Sequence, residues 1–346
     1  MAYQPQGPFV LGIDVGNGNL KVDWGTDGYH FPSRVKTIGA ASPTSDSPSG
    51  DRYAAQLDQV LVTVDGQQYF VGPDTHVNVE EPDNNDDYSV RPEYKALVIG
   101  ALYYMFRKAG SVRKEIPHLV LGLPMSTFKV RRDDLQRIYQ NCVLRVPVPD
   151  QLAAAYGHSA DVRVGEVEVV PQPVGALLTW AHESNQMASL AEGNKNLVLD
   201  PGERTFDWYA SNGTKPIYDW CGAIHGGRSA VVFDLARHMT ETLGTHISYA
   251  TAAIALQREQ LAIPRVSTMI DTAPFRAYTR RIADSIVSQL TRRLPEQTFD
   301  NVVLTGGALD IFGDPLRERW PVEVIRTVRQ PVMANAVGFR IWGALD

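Results

Sequence analysis

Cysteine is scarce: the 346 residues hold only Cys142 and Cys221. They form no Cys-x-x-Cys pair, which argues against a disulfide framework or a structural zinc site and suits a reducing compartment. Long apolar runs are missing too. The longest, at 97–106 (LVIGALYYMF), is about half of the ~20 residues a membrane-spanning helix needs. The opening residues, MAYQPQGPFVLGIDVG, lack the basic segment of a secretory leader, so a cytoplasmic location and no membrane partner are expected. Excess positive charge is absent as well: 33 Lys and Arg face 39 Asp and Glu, a net charge of −6. That balance argues against direct nonspecific DNA binding. Finally, the chain carries no GxxxxGK[ST], GxSxG, HExxH or dinucleotide-type GxGxxG, which removes the P-loop, serine-hydrolase, zincin and Rossmann dehydrogenase readings.

What is there is an ordinary globular composition, 44% hydrophobic and 21% charged, long enough for two domains. Residues 9–15 (FVLGIDV) predict a buried strand ended by Gly16-Asn17-Gly18. Leu20, Val22 and Trp24 alternate along 19–24, so a second strand folds back as a hairpin. The polar segments 41–50 and 81–87 are expected to be surface loops. A buried helix over 93–107, a strand over 118–123, a helix over 127–140, a strand over 164–170 and a helix over 174–183 complete an α/β order. The second half restarts in the same way. A strand at 196–200 leads through Pro201-Gly202-Glu203-Arg204 to a strand at 205–210, and Asn212-Gly213 turns into a returning strand at 215–220. Helices are expected at 228–243, 248–260 and 275–294, and a last strand at 301–304 ends in Thr305-Gly306-Gly307-Ala308.

The strongest feature is an internal match. Leu11 to Leu20 (LGIDVGNGNL) aligns with Leu197 to Phe206 (LVLDPGERTF): an apolar strand, Asp, one residue, Gly, a polar turn, a second strand. Repetition at half a chain length implies two similar α/β domains whose turns face a shared cleft. Glycine admits close backbone approach, and successive turn N–H groups form a nest for phosphate oxygens. The aspartates Asp14 and Asp200 would repel phosphate unless a cation lay between them. Mg²⁺, held through one or two carboxylates plus phosphates, meets that need.

These turns resemble those of the actin-like ATPase superfamily. Asp14 to Asn19 looks like its first phosphate motif and Asp200 to Asp207 its second. Val170-Pro171-Gln172-Pro173-Val174-Gly175-Ala176 is similar to the first connecting motif, Val303 to Ala308 to the adenosine motif, and Ala334 to Phe339 to the C-terminal connecting helix. Asp200-Pro201-Gly202-x-x-Thr205-Phe206-Asp207-Trp208 and the ending Pro331 to Gly338 resemble the plasmid-segregation ParM/StbA branch. A narrower resemblance is to its plasmid-encoded subgroup, PRTRC system protein D.

The resemblance implies the actin-like fold: two duplicated, ribonuclease H-like α/β domains flanking a nucleotide cleft. Residues 1–175 and 176–325 would form the domains, and 326–346 a helix returning to the first. It also implies an ATPase, binding ATP or ADP with Mg²⁺. Asp14 and Asp200 would serve the metal, and the backbone of Gly16, Asn17, Gly18 and Asn19 the β- and γ-phosphates. Gly202, Glu203, Arg204 and Thr205 would wrap the phosphates from the other side. Gly306, Gly307 and Ala308 would pack on the adenosine. Gln172 would orient the attacking water, since an amide takes no proton at neutral pH. The catalytic set is therefore Gln172, Asp200 and Asp14. The partners implied are further copies of the chain, in a filament, and a DNA-bound adaptor protein.

Blander readings stand beside these. A single Asp-x-Gly turn is common in inert α/β proteins; its pairing with Gln172 and Gly306-Gly307 is what favours a site. Lys21 reads equally as an exposed strand residue and Asp207 as a strand-end acceptor. Gly226-Gly227-Arg228 is either a helix start near the ribose, with Arg228 on phosphate or base, or only a helix N-terminus. The arginine-rich helix near 276–293 reads as a solvated face before a contact surface. The rival function is a non-filamentous ATP-dependent switch acting on a partner protein.

Overall fold

The computed structural model describes residues 9–38, 57–75, 87–296 and 298–345. The loop expected at 41–50, and all of that at 81–87 except Asp87, lie outside them. The chain divides into two units, Met1–Asn185 with Val332–Asp346, and Gln186–Pro331.

In the first unit, β1 (Val10–Val15) pairs antiparallel with β2 (Asn19–Asp23), which pairs antiparallel with β3 (Gly28–Pro32). On its other side β1 runs parallel to β7 (Glu115–Leu123), and β7 parallel to β9 (Ser159–Pro171), with β8 (Val143–Pro147) antiparallel at the edge. Every β1 residue is buried, as a central strand covered on both faces requires. A separate three-stranded sheet joins β4 (Val35–Thr37), β5 (Val60–Val64) and β6 (Gln67–Val71). Helix α1 (Pro92–Ala109) packs on both sheets, which explains why its apolar residues wrap most of its circumference. Helices α2 (Met125–Tyr139) and α3 (Asp150–Tyr156) follow.

Two helices fix the site end of this unit. Helix α4 (Gln172–Glu183) starts directly after β9, and α9 (Ala334–Trp342) crosses it. The crossing is made by backbone on backbone. A side chain on Gly338 would meet the carbonyl and Cα of Gly175, and one on Gly12 would meet the Ala336 carbonyl. Thr179 Oγ1 donates to the Ala334 carbonyl at 2.7 Å, and Arg340 Nε reaches Asp23 at 2.5 Å. Trp342 Nε1 donates to Glu168 on β9 at 2.7 Å.

In the second unit, β10 (Lys195–Pro201) pairs antiparallel with β11 (Thr205–Asn212) and parallel with β16 (Asn301–Leu304), which is parallel to β17 (Ile325–Thr327). Strands β12 (Lys215–Pro216) and β13 (Gly222–His225) both pair with β11. The returning strand expected over 215–220 therefore stops at Pro216. A 3₁₀ turn at Tyr218–Trp220 intervenes before pairing resumes. Helix α5 (Arg228–Leu243) matches expectation, but α6 (Tyr249–Ala255) is shorter than 248–260 because β14 (Gln260–Leu261) pairs with β15 (Ile270–Asp271). Helices α7 (Ala273–Thr291) and α8 (Leu309–Arg317) complete the core around Leu199, Phe206, Val232, Val302 and Phe312.

The arginines of α7 are spent locally. Arg280 binds Asp284 and Glu318, Arg276 the Arg258 carbonyl, and Arg281 lies over the Tyr278 ring. Phe275, Thr279, Ala283, Val287 and Leu290 make the buried stripe. Among the described residues, no helix is long and apolar enough to cross a membrane.

Candidate functional site

Each unit carries the same hairpin, and the two can be overlaid position by position. In the first, Val15 pairs with Leu20 and Asp14 with Lys21; in the second, Pro201 pairs with Phe206 and Asp200 with Asp207. Each turn closes identically, with Gly16 N–H donating to the Asn19 carbonyl at 3.1 Å and Gly202 N–H to that of Thr205 at 2.8 Å. A side chain at either glycine would crowd that same carbonyl at 3.1 Å.

In the first unit Asp14 is 1% exposed. Its Oδ2 accepts from Lys21 Nζ at 2.9 Å and its Oδ1 from Gln172 Nε2 at 2.7 Å. Gln172 is the first residue of α4, placed there by the end of β9, and its Cγ packs where Gly122 leaves space. Gln172 thus meets Asp14 from a position 158 residues away. Lys21 is not the exposed strand residue that alternation alone allowed: its side chain is 15% exposed and salt-bridged to Asp14. Asn17 stands exposed at the turn tip. Sequence reasoning missed Tyr94 of α1, fully buried, whose hydroxyl has no hydrogen-bond partner among the described residues. Burial, with the Asp14 charge second, holds its pKa well above the ordinary value. Only the helix register brings it near, and periodicity marks it as core.

In the second unit Asp200 and Asp207 are both buried, opposite one another across the hairpin, and Thr205 Oγ1 donates to Asp207 Oδ2 at 2.6 Å. The adenosine-type turn lies beside them. Thr305 N–H donates to the Leu199 carbonyl at 3.0 Å and Ala308 N–H to that of Pro201 at 3.0 Å. Gly306 has φ +93°, and a side chain there would strike Asp200 and the Pro201 carbonyl, so glycine is required on both counts. Gly307 is exposed, with open space where a side chain would be, whereas the Ala308 methyl points into the core. Any contact of Ala308 with a ligand would run through its backbone.

The start of α5 closes on the second turn. Arg228 N–H donates to the Gly202 carbonyl at 2.9 Å, and Ser229 N–H to that of Glu203 at 2.7 Å. Glu203 Oε1 accepts from Tyr249 at 2.7 Å, and Arg228 Nη1 reaches Asp310 at 2.5 Å. Burial alone would lower the Arg228 pKa, but the hydrogen bond and charge of Asp310 outweigh it and hold it raised. Gly226-Gly227-Arg228 is thus a helix start bound to the turn's carbonyl side.

A cavity of about 590 Å³ lies at the other end of β1 from Asp14, beside Phe9, Trp24, Met105, Lys108 and Arg113. It holds none of the residues discussed above for phosphate chemistry.

Two family descriptions match the chain in succession: actin-like proteins, N-terminal domain, over residues 12–175, and archaeal actin homologue MreB-like, C-terminal, over 198–318. Among solved structures, the archaeal actin homologue Ta0583 is similar at TM-score 0.75 and 20% identity, covering 98% of this chain and 100% of its own. A 15-stranded ParM filament from Clostridium botulinum aligns at TM-score 0.72 and 17% identity, covering 99% and 100%. The apo pSK41 ParM protein gives TM-score 0.68 and 17% identity, covering 97% of each chain. No curated protein matches by sequence. The chain belongs to the actin-like ATPase superfamily, with ParM proteins among its structural relatives.

Proposed function

We propose that this chain is an ATP-dependent actin-like protein that hydrolyses the γ-phosphate and assembles head to tail into filaments, serving plasmid partition through a DNA-bound adaptor. The carrying observation is the Asp14 carboxylate, clamped between Lys21 and Gln172 at the lip of the Gly16–Asn19 turn. The same Asp-x-Gly hairpin recurs at Asp200 in the second unit. A related structure, Ta0583, is solved as an ADP complex at 20% identity, which supports the nucleotide reading.

The donor set suits a magnesium nucleotide. Asp14 and Asp200 are carboxylates at glycine turns, and Mg²⁺ binds through one or two carboxylates plus phosphates and water. The ion, when bound, would neutralise phosphate charge and polarise the phosphoryl group. Gln172 gives its Nε2 hydrogen to Asp14, so its Oε1 is the atom that accepts from water and orients it. Lys21 places a cation beside the first turn, where phosphate oxygens collect charge. In the second unit, the Gly202–Thr205 backbone would bind phosphate, and Gly306 and Gly307 would admit the nucleoside.

Filament growth follows from heterologous contacts whose rotation does not close. Gain and loss of the γ-phosphate would set the self-associating shape. Phosphate release is the direct test. Gln172→Ala and Asp200→Ala should each lower kcat by about tenfold to a thousandfold, with ATP affinity changed far less. Sedimentation with ATP, ADP and a non-hydrolysable analogue reads assembly separately. Turnover that survives both substitutions removes the mechanism, and a chain that stays monomeric at high concentration with every nucleotide leaves the ATP-dependent switch instead.

A further inference from the structure

The second unit holds its two glycine turns together at two places. At the base, Ala308 N–H bonds the Pro201 carbonyl. At the outer edge, Arg228 reaches across: its own N–H bonds Gly202, and its guanidinium bonds Asp310 in the first turn of α8, at 2.5 Å. Gly227 N–H also donates to the Arg204 carbonyl at 3.1 Å, and Ser229 binds the Glu203 carbonyl through both N–H and Oγ. A ring of contacts therefore runs Pro201, Gly202, Arg228, Asp310, Ala308 and back to Pro201. Beside it stands the backbone of Gly307, exposed and with open space around it. The Arg228 side chain is 15% exposed, too enclosed to be a solvated surface charge, and Asp310 is 46% exposed.

We propose that the Arg228–Asp310 pair is a positioning clamp that makes turns 202–205 and 306–308 one rigid cradle for a ligand spanning both. The inference rests on the nucleotide reading and deepens it: Arg228 acts through geometry and not as a phosphate ligand. Its argument is that of linked subsites. A ligand gripped at two points gains affinity only while the two grips keep their spacing, and each grip alone is indifferent to the link. The bond geometry supports this role. The N–H groups at the start of α5 donate to turn carbonyls, so that helix end is committed to holding the turn and not to an anion.

Titration calorimetry on the full chain with Mg²⁺-ATP, tripolyphosphate and adenosine tests it. In Arg228→Ala and Asp310→Asn, ATP affinity should fall about threefold to tenfold, as for a partly exposed ion pair that preorganises a site. Tripolyphosphate and adenosine should each bind within about twofold of wild type on the same reasoning. The exchanged pair, Arg228→Asp with Asp310→Arg, should recover part of the ATP loss. Unchanged ATP affinity in the single variants overturns the clamp. So does an equal loss for all three ligands, which marks general damage; Asp310→Asn, on an exposed helix start, guards against a variant that fails to fold. A wild-type chain that binds no ATP overturns the nucleotide reading itself, and the clamp with it.

Discussion

Lys21 Nζ lies 2.9 Å from Asp14, the residue directly opposite it in the first hairpin, while the second hairpin puts Asp207 opposite Asp200. The repeat keeps its geometry and reverses one charge. In the first unit a carboxylate and an ammonium compensate each other. In the second, two carboxylates face across the strands, and Asp207 accepts from the Thr205 hydroxyl.

Removing the ammonium exposes what the first pair contributes. Lys21→Met should destabilise the chain by about 2–4 kcal/mol, because Asp14 would stay buried with only the neutral Gln172 amide donating to it. Urea denaturation followed by the fluorescence of the first unit's tryptophans reads the effect. An unchanged midpoint would show that the pair carries no stability.

The reversed charge gives a second test. Asp207→Lys recreates the first hairpin's pair in the second, replacing two opposed carboxylates by an opposite-charge cross-strand pair. Stability should nonetheless fall by about 1–3 kcal/mol, because a lysine at this buried position cannot accept from the Thr205 hydroxyl that Asp207 holds at 2.6 Å, while phosphate release falls because the acidic pair is lost. A variant that keeps both its Tm and full turnover would remove Asp207 from the functional account.

Helix crossing offers a third. Gly338→Ala would drive a methyl into the Gly175 backbone, and backbone cannot step aside as a flexible side chain can. A cost of about 3 kcal/mol is expected, at the upper range for overpacking, visible as a lower Tm. Turnover should fall as well, since α4 carries Gln172. Wild-type stability in this variant would mean the helices do not cross in contact.

Acidity provides a fourth. Burial raises the Asp23 pKa above 3.8, and the Arg340 charge and hydrogen bond offset only part of that rise. Between 3.8 and the folded value, the folded chain keeps a proton the unfolded chain has released. Stability from this group is therefore present below 3.8 and lost as pH rises through the folded pKa. Wild type should lose stability relative to Asp23→Asn across that window in paired urea titrations. Movement in the other direction would place Arg340 above burial in the balance.

Local pattern made much of this legible. The two Asp-x-Gly hairpins are contiguous, so a strand, a turn and a strand announce themselves, and the matching hydrogen bonds at Gly16 and Gly202 bear out their equivalence. Gln172 was reached through resemblance; no spacing within the sequence brings residue 172 to residue 14. Alternation assigns Lys21 to a polar face without saying what that face meets. In the sheet of β4, β5 and β6, the alternation of Val60, Val62 and Val64 and the Asp65-Gly66 turn make the β5–β6 hairpin a local signal. The expected elements omit that hairpin, whereas β4 joins from a separated segment with no local sign. Helix α8 has no clear local sign, because Pro315 and Gly313 interrupt its propensity. The helix expected over 248–260 ends at Ala255, and nothing local reveals that Gln260 pairs with Asp271.

The crossing of α4 by α9 also sets an order of assembly. Gln172 stands at the head of a helix whose packing partner, residues 334–342, is made only after the whole of Gln186–Pro331. A growing chain can complete the second unit's hairpin and core from contiguous residues as they emerge. The first unit, begun earlier, must wait with the Gly12 and Gly175 faces open until α9 arrives. The lip around Asp14 is thus synthesised before the second unit and finished after it.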